Sequence, residues 1–153
     1  CRRRRWPPRN PKYVAGDIKR SAVANAVVDI TALSYPDNEF DVIVCNHVLE
    51  HVPEDAKGMA ECFRVMKPGG TGIFSVPMDV NAEETWNPPP GTPVEEIERI
   101  CGRTHVRLYG LDFPKLLASH GFVAEEILFS SEENERHRLA AEKVYVVRKP
   151  AAN

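Results

Sequence analysis

Apolar residues in this chain recur with two different periods. Four short runs, Tyr13-Val-Ala-Gly-Asp17, Ala26-Val-Val-Asp-Ile30, Phe40-Asp-Val-Ile-Val-Cys45 and Thr71-Gly-Ile-Phe-Ser-Val-Pro77, have strand length. The run from Phe40 is nearly continuous, the pattern of a strand covered on both faces. From Asp55 to Met66 the period changes. Ala56, Met59, Ala60, Phe63 and Met66 fall on one helical face, which predicts a helix, and Pro68-Gly69-Gly70 is expected to stop it. Further helices are predicted over Glu95–Cys101 and over Phe113–His120, the second ended by Gly121. Two last strands are predicted at Phe122–Ser130 and Val144–Arg148, with the charged stretch 132–142 between them. Residues 79–93, rich in Asn and Pro, read as a long loop and a candidate lid carrying Trp86.

Strands alternating with helices predict an α/β fold, a mostly parallel sheet between layers of helices. The last two strands are close enough in sequence to form an antiparallel hairpin. At 153 residues the chain fits one domain with a sizeable core. The expected division is a basic tail or helix end over 1–12, broken by Pro7, Pro8 and Pro11, and a domain over 13–150.

Composition narrows the function classes. A net charge of −2 favours neither a polyanion nor a membrane surface, so no specific nucleic acid and no membrane partner are expected. No apolar run approaches the ~18 residues of a membrane helix. The arginines at the start are followed by Trp-Pro-Pro rather than by the apolar segment of a secretory signal. Four separated cysteines form no C-x-x-C pair, which argues against a disulfide framework and for reduced thiols in a cytoplasmic protein.

Ligands of open α/β sheets bind outside the carboxyl ends of the strands. The acids Asp17 and Asp29, with Ile30, stand at such ends, and Asn46 and His47 follow the third strand. One acid there can accept both hydroxyls of a ribose, and a second can accept from an adenine amino group. The bland readings stay open: Asp17 as a helix cap, Asp29 as a turn residue. His47-Val-Leu-Glu50-His51 matches the zinc-peptidase pattern H-x-x-E-H, but no second motif supplies a further ligand, and no metal is expected. His105, Arg107 and Tyr109 form a polar cluster that could bind substrate, with His105 as a base, or be ordinary surface. No G-x-G-x-x-G follows a strand, which argues against a dinucleotide-dependent oxidoreductase.

The stretch Phe40-Asp-Val-Ile-Val-Cys-Asn-His-Val-Leu-Glu-His-Val52, followed by Glu61-Cys-Phe-Arg-Val-Met-Lys-Pro-Gly-Gly70, resembles class I S-adenosylmethionine-dependent methyltransferases, in particular the methyltransferase type 11 group. The resemblance runs from Tyr13 to Arg148 and implies a Rossmann-like three-layer sandwich. It implies S-adenosylmethionine as cofactor, with Asp17 on the ribose, Asp29 and the Ile30 backbone on the adenine, and Asn46, His47 and Val48 beside the methionine part. Glu50 and His51 would support the following helix. A small-molecule acceptor would be methylated by in-line displacement, with His47 and His105, and also His51, as candidate bases. The family's first strand and glycine-rich turn have no counterpart in this sequence. The expectation is therefore an incomplete first strand and helix, and a homodimer whose second copy completes the sheet. The alternative is a degenerate fold serving as a non-enzymatic dimeric binding module.

Overall fold

A computed structural model describes residues 13–127, 129–137 and 143–151. The tail expected over 1–12 lies outside them. Two short strands, β1 (Gly16–Asp17) and β2 (Ala26–Val27), pair in parallel. β3 (Phe40–Asn46) leads through a tight turn at Leu49–His51 into α1 (Asp55–Val65), and β4 (Met66–Ser75) follows at once. Then come α2 (Val94–Cys101), α3 (Phe113–Ser119), β5 (Val123–Ile127), α4 (Ser131–His137) and β6 (Val144–Arg148). The main sheet has the order β3-β4-β6-β5. β3 and β4 run parallel, with Val42 opposite Thr71 and Asn46 opposite Ser75, and β6 is antiparallel to both β4 and β5. The expected α/β fold and its antiparallel C-terminal hairpin are present, and β6 lies between β4 and β5.

Several expectations are corrected. The first two strands shrink to two residues each, the second because Asp29 and the residues after it turn: the Asp29 carboxylate accepts from the Thr31 amide at 2.8 Å. Pro68-Gly69-Gly70 does not end α1, which stops at Val65 with Met66 already extended. The motif instead forms an irregularity early in β4, where the register jumps from Phe40–Met66 to Val42–Thr71. Gly69 takes φ +77° there, and a Cβ on Gly70 would meet the Lys67 carbonyl at 2.7 Å. Glycine is required at both points. Finally, α4 occupies the first half of the stretch expected to be a plain connection, whose residues 138–142 lie outside the described ones.

The core fills one side of the main sheet. Leu49, Met59, Phe74, Tyr109, Phe113 and Leu117 are all essentially buried. Phe113 packs edge to face against Tyr109 and Tyr145, so α3 is held to the sheet by rings. The opposite side of β3 differs from the covered strand expected. Val42 is 60% and Val44 63% exposed, while their neighbours Ile43 and Cys45 face the core. Among the described residues β3 pairs only with β4, so its other edge is open.

Two charged groups fix the C-terminal end of α1. Arg64 donates to Glu61, to Asp37 and to the carbonyls of Leu33 and Tyr35, which clamps the segment after Asp29 onto the helix. Lys149 donates to the Phe63 carbonyl at 2.9 Å beside the helix C-terminus, where a cation is favoured. No helix among the described residues is long and apolar enough to cross a membrane.

Candidate functional site

An open cavity of about 790 Å³ lies between the β1–β2 pair and the exposed side of β3. Asp17, Asp29, Ile30, His47 and Val48 all line it. The parallel pair β1–β2 thus ends on the same cavity as the exit of β3, 30 residues further along the chain from Asp17 to His47. Val42 and Val44 supply apolar wall. Asn46 stands at the end of β3, where its Oδ1 accepts from the Ser75 hydroxyl at 2.5 Å. It ties β3 to β4 and is not part of the lining.

Each of the two acids accepts from the backbone amide two residues on. Asp17 Oδ1 accepts from the Lys19 amide at 3.1 Å. Asp29 Oδ1 accepts from both the Thr31 hydroxyl, at 2.7 Å, and the Thr31 amide. These bonds hold the Asp29 carboxyl below its usual range, the side-chain bond being the larger cause. Asp29 is therefore a turn residue and an ionised acceptor on the cavity wall at once.

His47 leaves the end of β3 with φ +51°, a left-handed conformation uncommon for a side chain of its size. Its Nδ1 is 3.2 Å from Glu50 Oε1. Glu50 is 1% exposed, yet neither of its carboxylate oxygens accepts a hydrogen bond. His51 Nε2 lies 3.9 Å from the same Oε1. The second base expected, His105, is away from the cavity lining. Its ring packs against His51, centroids 4.8 Å apart.

The other members of the expected polar cluster have structural work. Arg107 is buried, pairs with Asp55 and donates to the Pro53 carbonyl at 2.7 Å. The Tyr109 hydroxyl donates to Asp55 at 2.7 Å, and burial pushes its pKa up. Together they fasten the start of α1 to the chain beyond α2. The expected lid is fastened too. Trp86 and Leu108 exchange backbone bonds of 2.8 and 3.1 Å, and the Thr85 hydroxyl donates to Asp112.

Sequence reasoning missed Glu50 as a buried carboxyl beside the imidazoles of His47 and His51. The Glu-His pair was visible, but its helix-supporting reading gave no hint of burial or of a contact with a residue beyond α2.

Residues 8–74 match the methyltransferase domain family. A Mycolicibacterium smegmatis protein named as a probable S-adenosylmethionine-dependent methyltransferase is 33% identical over 118 residues, covering 76% of this chain and 39% of that protein. A ubiquinone biosynthesis O-methyltransferase of Methylococcus capsulatus is 43% identical over 60 residues, covering 37% of this chain and 25% of that protein. The chain thus spans well under half the length of these relatives. Among solved structures, a proposed methyltransferase from Bacillus halodurans superposes with TM-score 0.57 at 17% identity, covering 90% of this chain and 81% of that one. The [4+2]-cyclase SpnF superposes with TM-score 0.53 at 21% identity, covering 83% and 57%. These two likenesses speak to the fold, and a cyclase among them shows that the fold alone does not choose the chemistry.

Proposed function

From a chain that belongs to the class I S-adenosylmethionine-dependent methyltransferases, we propose that the cavity beside β3 is the cofactor site and that the protein methylates a hydroxyl of a small molecule. The observation that carries this reading is the joint presence of Asp17, Asp29 and Ile30 on one cavity wall. Asp17 accepts the ribose hydroxyls, Asp29 accepts from the adenine amino group, and the Ile30 amide donates to the ring. Val48 and His47 flank the methionine part, with Asn46 bracing the strand end through Ser75.

When bound, S-adenosylmethionine supplies an electrophilic methyl on a sulfonium. An acceptor oxygen would take that methyl, and its proton would then have to leave. The protein's share is to hold the acceptor close and in line. His47 is the base that takes the proton, since it lines the cavity and its Nδ1 is held 3.2 Å from Glu50. His105 serves His51 rather than the acceptor, since it stands behind that ring. The relatives named as O-methyltransferases support an oxygen acceptor.

The test is methyl transfer from labelled S-adenosylmethionine to small hydroxyl-bearing acceptors. Turnover on an accepted compound is expected to fall by roughly 10²–10⁴-fold in His47→Ala, the range for loss of a general base. Unchanged turnover in that variant removes His47 from the chemistry.

A second reading, a non-enzymatic dimeric module, is favoured by the open edge of β3 with Val42 and Val44 exposed. A further strand, supplied by a second copy, would pair with that edge. The two readings are compatible if the second copy completes the cavity.

A further inference from the structure

Glu50 poses a problem that the methyltransferase reading leaves unsolved. A carboxylate that is 1% exposed and accepts no hydrogen bond carries a heavy desolvation cost. Buried charges persist when they are paired or bind a cation. Its ionic neighbours are His47, at 3.2 Å, and His51, at 3.9 Å.

The imidazoles on its other side are arranged in a particular way. His51 Nδ1 lies 3.0 Å from the Thr104 carbonyl, and His105 Nδ1 lies 2.7 Å from the Cys101 carbonyl. A carbonyl only accepts, so both rings carry their proton on Nδ1 when neutral, and both Nε2 atoms present a lone pair. Fixing the tautomer by a backbone carbonyl is how proteins prepare metal-ligating histidines. One oxygen of Glu50 and one ring nitrogen from each of His51 and His105 all lie within 4.8 Å of one another. Small side-chain rotations would bring them around an ion about 2 Å from each. Thr104, which supplies one of the orienting carbonyls, takes φ +67°. With His47 it makes two left-handed side-chain-bearing residues around one carboxylate, and such strain gathers at functional sites.

We propose that Glu50, His51 and His105 form a binding site for a divalent transition ion, zinc or one of similar preference. Two imidazoles and one carboxylate suit such an ion, whereas magnesium and calcium ask for oxygen ligands. Three protein ligands leave at least one position for water or an acceptor oxygen. The carboxylate has acceptor sites enough to serve both His47 and an ion. The sequence reading expected no metal because H-x-x-E-H lacked a third ligand nearby. The fold supplies one from beyond α2, and it replaces His47 in the set. His51 also lines the cavity, so an ion held here sits at the cavity wall and can polarise an acceptor hydroxyl. That use rests on the methyltransferase reading; the binding itself does not.

The experiment is a titration of the full chain with zinc alone, without cofactor or acceptor, followed by calorimetry and repeated with cobalt for its visible spectrum. One equivalent is expected to bind, with magnesium failing to compete. His105→Ala and His51→Ala should each weaken zinc by about 100-fold and change the cobalt spectrum, the scale of damage seen at metal shells. His105 is only partly buried, so that variant tests the site with little risk to the core. His120→Ala, remote in sequence and turned to the Leu116 carbonyl, should bind as the parent does. Absence of stoichiometric binding, or zinc affinity equal in parent, His51→Ala and His105→Ala, overturns the proposal. Either result leaves the cofactor reading intact, because no cofactor enters the measurement.

Discussion

His51 and His105 meet edge to face, ring centroids 4.8 Å apart at 72°, and each sets its Nδ1 against a backbone carbonyl, which can only accept. The arrangement fixes both tautomers before any ligand arrives. Nitrogen NMR of the chain above the histidine titration range should find the proton on Nδ1 in both rings. A proton on Nε2 in either ring would contradict the hydrogen bonding described and the ligand set built on it.

Val42 and Val44 leave two β-branched side chains in water on a strand whose outer edge is unpaired. Exposed apolar edges associate. The chain is expected to self-associate at micromolar concentration in sedimentation experiments, and Val44→Lys should weaken that association at least about tenfold, since a lysine there must be desolvated on pairing. A chain that stays monomeric at all concentrations removes the homodimer from the account.

Continuous apolar runs made β3, β4 and β6 legible, and the spacing of Met59 and Phe63 made α1 legible within one residue at its end. The carboxyl-end acids Asp17 and Asp29 were legible as well, because strand direction alone puts them on one side. The role of Pro68-Gly69-Gly70 was misread, since a helix stop and a strand irregularity use the same residues for the same reason, φ > 0 and a close backbone approach. The exposure of Val42 and Val44 could not be read from their chemistry, because the same pattern serves a covered strand. The meeting of His51 with His105 was hidden because spatial contacts between distant segments leave no period in one sequence.

Glu61 offers a check on the clamp that holds the segment after Asp29. The hydrogen bond from Arg64 is the largest cause holding its carboxyl below the usual range; burial opposes this, and the Leu33 amide adds to it. A depressed pKa contributes stability that is fully present above the unfolded value, 4.5, and is lost as pH falls through the folded value. Melting temperature should therefore fall more steeply on acidification in the parent than in Glu61→Gln, chiefly below about pH 5. Arg64→Ala should lower the melting temperature at neutral pH through its lost charged hydrogen bonds. Parallel pH curves for parent and Glu61→Gln would show that the clamp contributes nothing through this ionisation.

Asp17 and Asp29 are proposed to bound a nucleoside site in the cavity beside β3. Calorimetric titration with S-adenosylhomocysteine, on the parent and on Asp29→Ala, tests it most directly. Asp29 is exposed and its substitution leaves the core intact, so loss of binding would report on the site. The account expects saturable binding in the micromolar range, about −8 kcal/mol, weakened at least tenfold in the variant. Absence of binding at millimolar ligand, or equal affinity in both proteins, would contradict it.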